Sequence, residues 1–133
     1  MATEIERPPA LDMALVQEFV QKGHYDLDGI KSLLAAHPTL LNASYDWGGG
    51  DWETSLGAAA HMGQRDIALF LIEAGANIDI FAAAMLGELE IVRSMIERYP
   101  HLRDAKGPHT IPLIVHAQKG GDEAKAVVEY LTA

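Results

Sequence analysis

Residues 53–79 read ETSLGAAAHMGQRDIALFLIEAGANID, and this stretch decides the fold. It parses as a helix, a break at Gly63, a second helix and an exit at Gly75-Ala76. Ala and Leu lose little freedom on entering a helix, whereas β-branched residues lose rotamers. A glycine just past a helix end is the expected C-terminal cap. Working outward, Gly23, Gly87 and Gly107 punctuate the rest of the chain in the same way. Residues 26–43, DLDGIKSLLAAHPTLLNA, return at an offset of 62 as residues 88–105, ELEIVRSMIERYPHLRDA. Leu27/Leu89, Ser32/Ser94, Pro38/Pro100, Leu40/Leu102 and Ala43/Ala105 are identical pairs, and the gapless match marks an internal repeat.

The 53–79 unit resembles the ankyrin repeat. The family pattern T-P-L-H-x-A-A-x-x-G, followed by an apolar helix ending L-L-x-x-G-A, is met by Thr54, Leu56, Ala59, Ala60, Gly63, Leu71, Gly75 and Ala76. Ser55 replaces the family's Pro and Gly57 its His. A third copy keeps Ala83, Ala84 and Gly87, and a fourth keeps Pro112, Leu113, Ala117 and Gly120. The first copy is the most degenerate, as suits a terminal capping repeat. The resemblance implies an all-α helical repeat solenoid of eight helices in four antiparallel pairs. Residues 1–8 are read as a frayed N-terminus and 9–133 as one domain. The helices are expected near 9–22, 27–37, 54–62, 64–74, 79–87, 88–98, 111–119 and 122–132, with Pro8 and Pro9 in the first turn of the first. The Ala pairs, with Leu33, Leu34, Leu71, Met95, Ile96 and Leu131, are the expected core.

Composition narrows the function classes. Ten Lys and Arg against nineteen Asp and Glu give a net charge of −9. A field of that sign disfavours nucleic acid and anionic lipid, so neither partner is expected. Cysteine is absent, which excludes disulfides, thiolate metal sites and Cys nucleophiles. No apolar run is long enough to span a membrane and no signal peptide is evident, so a cytoplasmic location is expected.

The spacing holds one irregularity. Gly63 and Gly87 are 24 residues apart, where a full repeat period is about 33. The shortfall falls where the resemblance implies a projecting hairpin, between Ala76 and Ala83. Long connections flank it: 38–54, PTLLNASYDWGGGDWET, and 99–112, YPHLRDAKGPHTIP. These two are expected to meet across the vacancy, with a Trp leaning over it and Asp51 or Glu53 brought toward His109.

The candidate site residues follow. Trp47 and Trp52 bracket three glycines among acids; they either cover an exposed repeat edge or anchor a ligand in a loop. Asp51, Glu53, His61, His109 and His116 are the candidate acid–base groups, since such chemistry needs only a positioned pair and leaves no motif. Compact metal-ligand spacing is absent, and His61 and His116 lie two repeats apart, so no metal and no cofactor are expected. The resemblance implies a protein-binding module that uses its concave face and loops, with Trp47, Trp52, His61, Met62, Met85 and Leu86 as the candidate contacts; for Met62, Met85 and Leu86 partial burial between repeats is the equal alternative. The alternative is a small-molecule-binding protein or acid–base enzyme with a pocket between the 45–53 and 105–110 loops. The chain is expected to be a monomer or weak dimer.

Overall fold

The computed structural model describes residues 5–133, so half of the expected frayed segment, residues 1–4, lies outside it. Eight α-helices run in chain order: α1 (Met13–Lys22), α2 (Leu27–Ala36), α3 (Ser55–Met62), α4 (Arg65–Glu73), α5 (Ile80–Leu86), α6 (Leu89–Arg98), α7 (Leu113–Lys119) and α8 (Lys125–Thr132). Helices α1, α3, α5 and α7 stack successively as an inner row, with α2, α4, α6 and α8 outside them. The result is a helical repeat solenoid. Among the described residues no helix is long and apolar enough to cross a membrane.

The inner helices are short and small-sided. Ala58, Ala59 and Ala60 of α3, and Ala82, Ala83 and Ala84 of α5, are all buried. A helix that is apolar all round belongs inside. The ends of α3 and α5 repeat one another: Thr54 Oγ1 accepts from Gly57 N–H at 3.0 Å, and Asp79 Oδ1 from Ala82 N–H at 2.8 Å. Each helix stops at a left-handed glycine, Gly63 (φ 68°) and Gly87 (φ 82°). Ala83→Leu is expected to cost about 1–3 kcal/mol by overpacking α5 against its neighbours. A urea midpoint equal to wild type would contradict the close approach.

Two expectations need correction. Helix α1 begins at Met13, not residue 9. Pro8 precedes a proline, which holds it extended, and Leu11 packs on the core before the helix starts. Leu33, Leu34, Met95 and Leu131 are half-buried, because the outer helices have no layer beyond them. The all-α reading stands, with one short hairpin added to it. An antiparallel hairpin pairs β1 (Ser44–Asp46) with β2 (Trp52–Thr54) in the register Ser44–Thr54, Tyr45–Glu53, Asp46–Trp52. Its turn is Gly48–Gly50, all at positive φ (139°, 64°, 90°), which explains the glycine run. Asp46 Oδ1 accepts the N–H groups of both Gly48 and Gly50 at 2.9 Å. The connection from α4 to α5 carries no strand, so no hairpin projects there.

Candidate functional site

Four segments deliver side chains to one point. Strand alternation sends Glu53 inward while Trp52 stays exposed. Asp51, two residues before Glu53, lies toward the same side. Gly23 ends α1 directly against Ser55: a Cβ there would sit 2.7 Å from the Ser55 carbonyl oxygen. That close approach, sealed by Ser55 Oγ donating to Phe19 O at 2.6 Å, places His24 beside β2. His61 comes from the last turn of α3, one turn after Gly57, which leaves room for Glu53 and Pro108. His109 arrives from the 106–110 loop.

Glu53 is the centre, with a relative exposure of 1%. Its Oε1 accepts from Trp47 Nε1–H at 2.8 Å and faces His24 Nε2 at 3.2 Å. Its Oε2 lies 2.8 Å from His61 Nε2 and 3.3 Å from His109 Nε2. Burial pushes the Glu53 carboxyl up, but the contacts from His24 and His61 outweigh it and hold it at about 2. The hydrogen bond to Glu53 raises the His24 imidazole above its ordinary value against the opposing effect of burial. His24, Glu53, His61 and His109 each offer one donor atom, and these atoms lie within 4.8 Å of one another.

Asp51 ties the two long connections together. Its Oδ1 accepts the His109 backbone N–H at 2.8 Å and its Oδ2 lies 2.6 Å from His109 Nδ1. That backbone hydrogen bond, then the ring contact, draws the Asp51 carboxyl below its usual range. His109 and Thr110 both sit at positive φ, 61° and 60°. Non-glycine residues there cost roughly 1–2 kcal/mol each and persist where surrounding contacts impose them. Beside this fork lies an open cleft of about 840 Å³, with Gly48–Trp52 on one wall, Lys106–Thr110 on the other and Phe81 among the lining residues.

The family model of the ankyrin repeat matches residues 51–81. The match covers this one repeat unit of the chain. No curated protein and no solved structure matches it.

In the ankyrin frame, the matched unit holds Asp51, Glu53 and His61, while His24 and His109 come from the repeats on either side. Three of the five acid–base candidates, Glu53, His61 and His109, therefore meet in one cluster, with Asp51 in contact through His109. His116 does not join them. It is buried, its Nδ1 donates to Pro112 O at 2.9 Å, its ring packs on Phe81, and its Nε2 has no partner among the described residues. Burial pushes the His116 imidazole down.

The contact-surface residues divide. Trp52 and Met62 are exposed, at 59% and 45%. Trp47 is half-buried, packed edge-on against Tyr45 at 4.8 Å and hydrogen-bonded to Glu53. Met85 and Leu86 follow the other alternative and are buried between repeats, at 1% and 6% exposure. Gly120 packs against the Met85 carbonyl oxygen, so the turn after α7 closes over the end of α5 where an open groove was expected.

Sequence reasoning passed over His24. Its only signal is register: Gly23-His24 corresponds to Gly63-Gln64 and Gly87-Glu88, the step between inner and outer helix. Gln64 Nε2 donates back to His24 O at 3.0 Å, holding that step in place. The expectation of no metal rested on sequence spacing, and spacing does not register ligands that separate repeats bring together.

Proposed function

We propose that this ankyrin-repeat chain binds a small polar molecule in the cleft between the 48–52 and 106–110 loops. One observation carries the reading. The Asp51–His109 fork joins residues 58 positions apart and holds a strained two-residue turn at the wall of a recess of about 840 Å³. Recesses of roughly 300–1,000 Å³ suit small ligands. Strain kept in place by a dedicated carboxylate is a cost that repeat stacking alone does not require. Asp51 is the acceptor at the wall, His109 the titratable group it orients, and Phe81 and Trp52 the apolar surfaces.

A second reading is protein recognition, the common task of ankyrin repeats. The exposure of Trp52 and Met62 favours it, since aromatic side chains are enriched among interface anchors.

The test is amide chemical-shift mapping with a panel of small carboxylates, amino acids and sugars, with Trp52 emission as a second signal. Saturable shifts confined to 48–52 and 106–110 are expected. Asp51→Asn should weaken that binding about tenfold or more, the worth of a lost charge-assisted hydrogen bond. A silent cleft at millimolar ligand would remove the small-molecule reading. Perturbation centred on Met62 by a protein partner would put the second in its place.

A further inference from the structure

We propose that His24, Glu53, His61 and His109 form a binding site for a divalent transition-metal ion of the zinc type. The first argument is proton accounting. Carbonyl and carboxylate oxygens only accept. His24 Nδ1 lies 3.1 Å from Val20 O and 3.0 Å from Gln21 O, so its ring proton belongs on Nδ1. His109 Nδ1 lies 2.6 Å from Asp51 Oδ2, and its proton belongs on Nδ1 too. In each neutral ring Nε2 is then a bare lone pair. Yet both Nε2 atoms are aimed at Glu53, at 3.2 Å and 3.3 Å. Lone pairs facing a carboxylate repel unless positive charge stands between them. Either each ring holds a second proton, or one cation serves both.

The two solutions carry equal charge. Two ring protons and one divalent ion neutralise Glu53 and Asp51 alike, so the ion enters as the protons leave and the net charge of the site does not change. Metal binding of this kind releases the protons it displaces.

The second argument is orientation. Metal-bound imidazoles characteristically spend the other ring N–H on a carbonyl or carboxylate, and ligating carboxylates are themselves hydrogen-bonded. His24 is held by two carbonyls, His109 by Asp51, and Glu53 by Trp47 Nε1 at 2.8 Å. The third is reach. The four donor atoms lie within 4.8 Å of one another, and bonds of about 2.0–2.1 Å need them roughly 3.3 Å apart. Contraction of that size asks for side-chain adjustment only. Three imidazoles and one carboxylate select zinc, cobalt or nickel over magnesium and calcium, which prefer oxygen donors. The site stands whether or not the cleft takes a small molecule.

The test uses the full chain stripped with chelator and titrated with zinc chloride and cobalt chloride. Expected are one ion per chain, an intense visible cobalt spectrum of a four-coordinate site, and calorimetry in two buffers reporting net proton release on binding. His61→Ala and His24→Ala should each weaken zinc at least 100-fold. Asp51→Asn should weaken it about 10–100-fold by freeing the His109 ring. His101→Ala, an exposed histidine outside the cluster, should leave affinity within twofold. Circular dichroism establishes that each variant is folded. If His61→Ala does not fold, the cobalt spectrum of His24→Gln decides in its place. No binding at 100 µM zinc would overturn the site. So would zinc affinity unchanged in the His24 variants, or imidazole NMR showing both protons still on His24 and His109 with equimolar zinc. Magnesium binding as tightly as zinc would overturn the donor assignment. Because cobalt absorption reports the ion and shift mapping reports the cleft, failure of one reading leaves the other measurable.

Discussion

Glu53→Ala is expected to lower the stability of the metal-free protein by about 3–5 kcal/mol at pH 7, the usual cost of breaking a buried charge pair from one side. The carboxylate is the shared acceptor of Trp47, His24 and His61, with His109 alongside. Its removal strands donors inside the protein, and stranded donors cost more than the bonds contributed. The effect should depend on pH in a defined direction. The Glu53 carboxyl is held at about 2 in the folded chain against an ordinary 4.5. Its contribution is therefore complete above about pH 4.5 and is lost as pH falls toward 2, a change of about 3 kcal/mol. His24 acts on the other limb. Its raised value gives stability that is present below 6.5 and lost as pH rises through the folded value. His116, whose value is lowered, opposes His24, losing stability as pH falls below 6.5. Urea unfolding of wild type and Glu53→Ala at pH 7 and pH 3 reads the result. The gap between them should narrow sharply at pH 3, and a constant gap would remove the carboxylate from the explanation.

Gly87→Ala should be nearly as damaging, at about 2–5 kcal/mol, although it lies outside the histidine cluster. Two costs combine. Gly87 has φ 82°, where a side chain is strained by roughly 1–2 kcal/mol. A Cβ there would also sit 2.1 Å from the Glu123 carbonyl oxygen. That contact is backbone, so relief requires the turn before α8 to move, which adds an overpacking cost of about 1–3 kcal/mol. Gly49→Ala makes the comparison, because its φ is 64° but nothing lies within 4 Å. It should show the strain alone. Equal urea midpoints for the two variants would argue against close packing of the last repeat on α5.

How far the sequence could be read differs between the repeats and the site. Each repeat is a local object. Ala-rich inner helices and capping glycines lie within a few turns of chain, and local propensity governs them; the 26–43/88–105 echo repeats such a unit. The edges of that reading failed where non-local packing intervenes. Met85 and Leu86 look like groove residues beside Ala84, but the turn at Gly120 packs on the end of α5 and both side chains are buried. Pro8 and Pro9 look like a helix start, but the helix begins only at Met13, after Asp12.

What the amino-acid sequence determined by itself is the stacking unit and the missing hairpin between Ala76 and Ala83. The first depends on the 3.6-residue period that a short window displays, the second on the count of residues between capping glycines. Only the tertiary structure decided that His24 belongs with Glu53, His61 and His109, and that His116 does not. Those four residues come from three repeats, and their convergence depends on where α1 stops against Ser55 and on the turn Asp51 imposes at His109. Neither distance is encoded in any spacing along the chain. It follows from the thickness of packed helices and the path of two loops, which exist only once the solenoid has formed.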